Sequence, residues 1–374
     1  MLYKGSVTRC GVVGGDLTGS RRNPDRAELL PSIRAAKRAS VRNSGAPTCR
    51  PATRLRGVME RPTISVLINN YNYGRFVARA IDSALSQQAS NVEIIVVDDG
   101  SSDQSHSVLD GYDKRVKVLF QENQGQAAAI NAAVKLSSGD ILCFLDADDW
   151  WAPGKLSATA AAFHSNPQAS LVYHRLQPTR TDGSPAFKPI PRTLCSGNLP
   201  PRLARSAGWW PFPMTSAVAV RRSAWDVAGD IPEQFRMSAD AWLTGIYPFL
   251  GSVVALSDPL GFYRIHNNNW YRPVDDAAML RKRMAHWQAT VEATNRFLSA
   301  HDLAGRLRLT DHYPYRVASA RLQGADTRTR FSLAVEGLFF AGEPNLLRRT
   351  RDALRTAYDL PRLGQDVGVS EAAG

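Results

Sequence analysis

Short apolar runs alternate along residues 61–156 with segments whose apolar residues recur at three- and four-residue intervals. The short runs are rich in β-branched residues and end in polar clusters, so they predict four strands, beginning near Thr63, Val92, Val116 and Ile141. The spaced segments predict amphipathic helices over about 75–87, 103–111 and 125–136. This alternation predicts an α/β fold with a mostly parallel twisted sheet flanked by helices.

The pattern changes after residue 150. It predicts a helix, a strand and a long irregular connection rich in Pro and Arg, at about 155–165, 170–174 and 177–213. A strand, a helix and one or two short strands follow at about 216–221, 239–250 and 252–264. From about residue 275 only helical patterns remain. We therefore expect a basic, disordered tail over 1–58, an α/β domain over 61–270 and a helical C-terminal region over 275–360.

Most of the net positive charge lies in the first 58 residues. They contain 12 Lys and Arg against 3 Asp and Glu, a net charge of +9 out of +12 for the whole chain. Because the remaining residues are almost neutral, we expect no nucleic-acid partner. The segment lacks the apolar core of a secretory signal, and an organelle transit peptide or a start codon assigned too early are alternatives to a native tail. We expect a cytoplasmic protein, which a basic tail could bring to the inner face of the membrane as a peripheral protein.

Composition excludes several other classes of protein. Hydrophobic residues make up 44% and charged residues 21% of the 374 residues, which is typical of a globular chain. No apolar run reaches the roughly 18 residues that a membrane-spanning helix needs. The four Cys form no Cys-x-x-Cys pair, so neither a disulfide scaffold nor a zinc ribbon is indicated.

Candidate chemistry is concentrated at the ends of the predicted strands. Ligands bind beyond the carboxyl ends of parallel strands, so the polar clusters at 69–72, 98–99 and 146–149 should converge on one site. Asp146, Asp148 and Asp149 would repel one another there, and a hard divalent cation such as Mg²⁺ or Mn²⁺ is the natural compensation. A solvated helix N-terminus, where carboxylates are also favoured, explains the three acids equally well.

Three further segments each allow two interpretations. The segment from Asp98 to Asp103 is a turn and helix-start signal, although a carboxylate at a strand end can also bind a base or a ribose hydroxyl. The segment from Asn69 to Tyr73 offers amides and aromatic faces to a nucleobase, but such residues are common in loops. The aromatic residues at 209–212 either stack on an acceptor sugar or fill a hydrophobic gap beneath a loop.

Four blocks of residues occur in a fixed order: Ile64 to Asn72, Val96 to Asp103, Asn123-Gln124-Gly125 with Ala129 and Asn131, and Gly139-Asp140 leading into Leu145 to Asp149. This arrangement resembles the family 2 glycosyltransferases with the GT-A fold, specifically over about 61–156 and more loosely to about 270. The resemblance implies a nucleotide-sugar donor, with a UDP-sugar favoured, and a divalent cofactor, Mn²⁺ or Mg²⁺. It also implies inversion at the anomeric carbon during transfer to a glycan, a lipid-linked acceptor or a small molecule.

The resemblance further implies which residues bind the donor: Asn69, Tyr71, Asp98, Asp99, Gln124, Gly125, Asn131, Asp146 and Asp149. In that arrangement Asn69 and Tyr71 lie at the base, and Asp99 hydrogen-bonds the uracil or its equivalent. Asp146 reaches the ribose or the sugar, and Asp149 is a supporting acid.

The same resemblance implies the reacting groups. Asp148 would bind the metal that bridges the diphosphate, and His266, in a segment similar to the family's Arg-x-His, would complete the metal or diphosphate shell. Asp240 would be the catalytic base, although Ala239 stands where the family has Glu, and a helix N-cap is the alternative role.

Two other functions use part of this pattern. A sugar nucleotidyltransferase would share the sheet and the metal-binding acids, but it should carry a Gly-rich, basic phosphate loop after its first strand. This chain has Asn69-Asn70-Tyr71-Asn72 at that position. A non-catalytic glycan-binding relative gains some support from Ala239, whereas the retained acids argue against it.

Overall fold

The structure, a computed structural model, describes residues 63–266 and 276–358, so the predicted basic tail lies outside the described residues. The first part of the described chain alternates strands and helices: β1 (Ile64–Asn70), α1 (Gly74–Leu85), β2 (Val92–Asp98), α2 (Ser105–Asp110), β3 (Lys117–Phe120), α3 (Gln126–Leu136), β4 (Ile141–Asp146), β5 (Trp150–Trp151) and α4 (Lys155–Ser165). The middle part contains β6 (Ala169–Thr179), α5 (Pro200–Ala204), β7 (Val218–Arg221), α6 (Arg222–Ala228), α7 (Ala239–Leu250) and β8 (Ser252–Arg264). The last part is helical: α8 (Ala277–Ala300), α9 (Tyr313–Gln323), α10 (Thr327–Leu338) and α11 (Leu346–Tyr358).

The described strands form one curled, eight-stranded sheet in the order β3-β2-β1-β4-β7-β6-β8-β5. The half that contains β1 to β4 is parallel throughout, because a crossover helix joins each of these strands to the next one along the chain. The other half is mixed: β7 runs antiparallel to β4 and β6, whereas β8 is parallel to β6. This arrangement places the carboxyl ends of β1, β2 and β4 side by side.

Helices cover both faces of the parallel half, which explains why its strands are apolar at successive positions. Leu67 and Phe144 belong to one buried core with α3 and α7. Their neighbours Val66 and Cys143 belong to the core on the opposite face, with α1 and α4. A rigid sheet with two cores is therefore the base on which the strand-end loops stand.

The later strands differ from the sequence prediction. The strand expected at about 170–174 continues to Thr179, and the one or two short strands expected at 252–264 form a single strand. The two long strands pair along almost their whole length, with register shifts near Arg175. These shifts interrupt the regular alternation of apolar and polar residues, and the predicted irregular connection accordingly begins later and includes α5.

The helical C-terminal part continues from the α/β part, with α8 packed on both α7 and α9. Within the described residues, none of the helices combines the length and the apolar content needed to cross a bilayer. Cys143 and Cys195 are both buried and unbridged.

Candidate active site

The strand-end clusters meet because β1 lies between β2 and β4 in the sheet. The register pairs Asn70 with Asp98 on one side of β1 and Asn69 with Asp146 on the other. The Asp99 N–H donates to the Asn70 carbonyl oxygen at 2.8 Å, so the contact continues beyond the strands. Segments that are about 75 residues apart in sequence are thus adjacent in space.

Asp98 lies behind the site rather than in it. Its fully buried carboxylate accepts hydrogen bonds from Asn70 Nδ2 (2.6 Å) and from the N–H and hydroxyl of Ser101 (2.9 and 2.7 Å). His106 Nε2 lies 3.3 Å from its other side. The loop after β2 thus occupies the Asp98 carboxylate, and Asp98 does not line the cavity described below.

Asp99 faces the opposite way and reaches the cavity described below. Its carboxylate accepts from the N–H groups of Gln124 (2.9 Å) and Gly125 (2.7 Å), and from Gln121 Nε2 (2.7 Å). Asn123 Nδ2 donates to its backbone carbonyl (3.0 Å). Asp99 therefore fixes the loop that opens α3, whatever contact it makes with a ligand.

The acidic cluster follows β4. Oxygen atoms of Asp146, Asp148 and Asp149 all lie within 4.8 Å of one another. Burial, and then the charge of Asp148, raises the pKa of both Asp146 and Asp149 above the ordinary value for a carboxyl group. The folded chain thus holds Asp146 and Asp149 where their ionised forms are destabilised, and a cation bound beside them would relieve that cost.

The end of β8 ties this cluster to the rest of the sheet. The Arg264 N–H donates to Asp149 Oδ1 (3.0 Å), and Arg264 Nε donates to the Asp148 carbonyl oxygen (2.8 Å). His266 Nε2 lies 2.8 Å from Asp148 Oδ2. Asp148 and His266, which are 118 residues apart in sequence, are therefore in direct contact.

Gln126, to which the sequence analysis gives no role, connects the acids to α7. Its Nε2 donates to Asp146 Oδ1 (2.8 Å), and its Oε1 accepts from the Ala239 N–H (3.0 Å). The only sequence signal for this role is the position of Gln126 directly after the Gln124-Gly125 block.

Asp240 lies in the first turn of α7 and lines the same cavity. Burial raises the pKa of its carboxyl group to about 6, although backbone N–H groups at the helix terminus act in the opposite direction. A carboxylate that only caps a helix has a lowered pKa, because the N–H groups stabilise its charged form. Asp240 is instead held in a site that favours its protonated form.

A cavity of roughly 870 Å³ opens in front of these groups. Seven of the sequence-predicted site residues line it: Asn69, Tyr71, Asp99, Gly125, Asp146, Asp148 and Asp240. The cavity is also lined by the connection after β6 and by the C-terminal helical part, with Trp209, Phe212, Met279, Trp287 and His312. Of the predicted aromatic cluster, Trp210 also borders the cavity, but it is fully buried and its Nε1 donates to the Thr244 carbonyl oxygen (3.2 Å).

The other predicted residues do not line the cavity. The Asn131 side chain donates to the Ile231 carbonyl oxygen and accepts from the Ile231 N–H, both at 2.9 Å. It therefore links α3 to the segment before α7. Gln124 is exposed and contributes its backbone N–H to Asp99. Asp149 and His266 lie beside the cavity, in contact with Arg264 and Asp148 respectively.

Comparison with known proteins connects this geometry to a family. Residues 65–225 match the family described as Glycosyl transferase family 2. An uncharacterized glycosyltransferase of Nostoc sp. (strain PCC 7120) is 34% identical over 241 residues, which are 63% of this chain and 74% of the relative. Glycosyltransferase GlyG of Streptococcus pneumoniae serotype 4 is 25% identical over 229 residues, 58% of this chain and 76% of the relative. Putative glycosyltransferase EpsH of Bacillus subtilis is 39% identical over 98 residues, which are 25% of this chain and 28% of the relative.

Solved structures show more distant likenesses. The mannosyltransferase PcManGT from Pyrobaculum calidifontis, solved in complex with GDP-Man and Mn²⁺, has a TM-score of 0.48 at 18% identity, over 81% of this chain and 83% of that chain. Residues 1–349 of S. aureus TarS have a TM-score of 0.46 at 20% identity, over 81% and 92%. The family match and the Nostoc relative, together with the sheet described above, confirm the predicted fold class and show that this chain belongs to the family 2 glycosyltransferases, which have the GT-A fold.

Proposed function

We propose that this chain transfers a sugar from a nucleotide-diphosphate sugar, a UDP-sugar in the first instance, to an acceptor hydroxyl with inversion at the anomeric carbon. The observation that carries the proposal is one cavity lined by Asp146, Asp148 and Asp240, with Asp149 next to the first two acids. The acids can hold a cation, which can in turn bind a diphosphate, and Asp240 can accept a proton.

The donor side of the proposed site is the wall formed by the strand ends. The side-chain oxygen of Asn69 is buried and has no hydrogen-bond partner among the described residues, so it is available to an N–H or O–H of a ligand. Tyr71 is 48% exposed at the same wall and can stack on a base. The Gly125 backbone approaches the cavity without a side chain in the way.

Asp148, with His266 in contact, is the proposed holder of Mn²⁺ or Mg²⁺. The chemistry of the cluster fits such an ion, because oxygen ligands suit hard cations and the pKa values of Asp146 and Asp149 are raised by burial and mutual repulsion. When bound, a divalent cation supplies positive charge that stabilises a departing nucleotide diphosphate.

Asp240 is the proposed general base. With a pKa of about 6 it is ionised at neutral pH and still basic enough to take the proton of a hydroxyl as the oxygen attacks. In a single displacement the oxygen forms its bond to the anomeric carbon while the diphosphate oxygen leaves from the opposite face, which inverts that carbon.

The acceptor side is proposed to be the wall built by the helical part. Trp287 and Met279 on α8 and Trp209 on the preceding connection give it apolar and aromatic surface on which a sugar can stack. In this proposal residues 61–270 form the transferase domain and residues 275–360 complete its acceptor site.

The test is release of nucleoside diphosphate from a panel of UDP-, GDP- and dTDP-sugars with a mixed set of acceptors, in Mn²⁺, in Mg²⁺ and in excess EDTA. The anomeric configuration of the product, measured by NMR, tests inversion. We expect release in Mn²⁺ or Mg²⁺, and its loss in EDTA and in Asp148→Ala. Asp110→Ala, at an exposed position outside the site, is the matched control. Release of pyrophosphate from a nucleoside triphosphate and a sugar phosphate would instead identify a nucleotidyltransferase, and donor binding without turnover a non-catalytic relative.

A further inference from the structure

The helices α10 and α11 present a row of large apolar side chains to solvent. On α10 these are Phe331 and Val335, and Phe339 follows at the C-cap of that helix. The three residues recur at four-residue intervals and therefore lie along one side of the helix. Phe339 is 77% exposed. The buried positions of the same helix are small or are turned to the opposite side, for example Ala334 and Gly337.

On α11 the usual distribution is reversed. The helix buries Ala353 and Thr356, whereas Leu347, Leu354 and Tyr358 are exposed, with Leu347 at 82%. A helix at the surface of a globular protein normally turns its apolar stripe towards the core. The two helices pack against each other. The exposed large apolar residues on them and at the C-cap of α10 are called the α10–α11 ridge: Phe331, Val335, Phe339, Leu346, Leu347, Leu354 and Tyr358.

The ridge is accompanied by positive charge. Helix α11 contains four Arg against the single acid Asp352, and α10 adds two more Arg against one acid. Arg351 is one helical turn before Leu354, and Arg355 is one turn before Tyr358, so both lie next to the ridge. Apolar side chains bordered by Arg are the pattern of helices that lie in the interface of an anionic membrane.

We propose that the α10–α11 ridge docks this protein on the surface of an anionic phospholipid bilayer. Phe and Leu side chains of the ridge would enter the headgroup region, and the neighbouring arginines would meet lipid phosphates. A second copy of the chain fits this surface less well, because a twofold contact would place the same arginines against one another. This surface is distinct from residues 1–58, which carry most of the net charge.

The α10–α11 ridge and the lining of the cavity include residues that are adjacent in sequence. Arg348 lines the cavity, and the adjacent residue Leu347 is one of the most exposed of the ridge. The first turn of α11 therefore contributes to both surfaces, and a docked molecule holds that wall of the cavity near the lipid headgroups. The inference does not depend on the proposed chemistry.

The test is co-sedimentation of the full chain with vesicles of phosphatidylcholine alone, or with about a third phosphatidylglycerol. The ridge variant is Phe339→Ser/Leu347→Ser/Leu354→Ser. The matched control is Leu136→Ser/Phe187→Ser/Val227→Ser, which removes three apolar side chains that are also exposed but lie elsewhere. We expect binding of the wild type to anionic vesicles, a loss of about 100-fold in the partition constant of the ridge variant, and a change within about twofold for the control.

A second variant, Arg351→Gln/Arg355→Gln, tests the electrostatic half of the proposal. Each arginine near an anionic surface contributes about fivefold, so we expect about 25-fold weaker binding to the anionic vesicles. Thermal unfolding of every variant verifies that the fold is retained.

Three results would overturn the proposal. One is a wild type that fails to bind anionic vesicles. Another is a ridge variant that binds as well as the wild type, which would assign binding to another surface such as residues 1–58. The third is a dimer in light scattering that the ridge variant loses, since the ridge would then be the contact between two copies.

Discussion

Replacing Asp240 with Asn should weaken catalysis and strengthen the fold at the same time. The substitution keeps the size of the side chain and removes the ionisable group. Burial raises the pKa of Asp240 to about 6 against an ordinary value of 3.8, so the folded protein binds this proton more tightly than the unfolded chain does. A lower transfer rate together with a higher free energy of unfolding tests the assignment of Asp240 more stringently than loss of activity alone.

The stability effect follows from the two pKa values. Below about pH 4 the carboxyl is neutral in both states and costs nothing. As the pH rises from about 4 to 6, the unfolded chain loses the proton first, and the free energy of unfolding of the wild type falls by up to about 3 kcal/mol. The amide that replaces the carboxyl group in the variant has no such cost, so Asp240→Asn should be more stable by about 3 kcal/mol near pH 7.5 and by about 1–2 kcal/mol near pH 5.

The catalytic effect has the opposite sign. General-base assistance is typically worth about 10²–10⁴ in rate, and transfer by the Asn variant should fall by that factor at neutral pH. Transfer by the wild type should decline as the pH falls through about 6, whereas the residual rate of the variant should lack that step. Nucleotide affinity should change little, since the proposed donor wall is built from residues 69–148.

Urea unfolding at the two pH values, initial rates of nucleoside diphosphate release, and calorimetric binding of nucleoside diphosphate measure the three quantities. Asp110→Asn, at an exposed position, is the control for loss of one negative charge. Near-normal transfer by Asp240→Asn would refute the assignment and make Asp230 or Glu233 the next candidate base. A loss that appears wholly as weaker nucleotide binding would refute it as well, and a less stable variant would refute the electrostatic reasoning.

Three further predictions concern other residues that line the cavity. Asp148→Ala should abolish transfer that depends on Mn²⁺ or Mg²⁺ without lowering the metal-free unfolding midpoint, because it relieves repulsion; calorimetry with Mn²⁺ and a nucleoside diphosphate should show no metal binding. Gly125→Ala should destabilise by at least about 3 kcal/mol in urea unfolding, because φ is +96° and the new Cβ would lie 2.7 Å from the Arg236 carbonyl oxygen. Gly154→Ala, with φ +83° but open space around it, should cost only about 1–2 kcal/mol, and equal costs would contradict the steric argument. Gln126→Ala should lower transfer about tenfold with nucleotide affinity kept, since it releases α7 from the acids; an unchanged rate would make that link irrelevant to catalysis.

The parallel half of the sheet could be predicted because the sequence features that define each of its strands lie within a short stretch of the chain. β1, β2 and β4 are short, apolar on both faces and closed by polar clusters, and each property can be recognised within about ten residues. The pairing of β6 with β8 could not be predicted in the same way, because it joins residues about 80 apart and contains register shifts. The α/β fold class was therefore predictable, whereas the length of these two strands was not.

Individual side chains of the site were predictable only as members of a cluster. The sequence places Asp98 and Asp99 together at a strand end, but successive residues there face opposite directions, so that Asp99 lines the cavity and Asp98 does not. The Asn131 amide meets Ile231 across 100 residues of sequence, a partner that no local pattern indicates. The roles proposed for the lining residues remain predictions that the variants above test.

The start of α7 shows how this chain departs from the pattern that its family resemblance implies. Ala239 is fully buried at the first position of the helix, and its N–H is held by Gln126, so a longer acidic side chain would have no room at that position without displacement of its neighbours. Asp240, one position later, is the acid that the helix turns into the cavity. Because Gln126 also binds Asp146, one side chain connects the acids at the end of β4 to the backbone that carries Asp240. Gln126 thus connects the proposed donor side with the helix that carries Asp240, and this connection supports the proposal that Asp240 is the base.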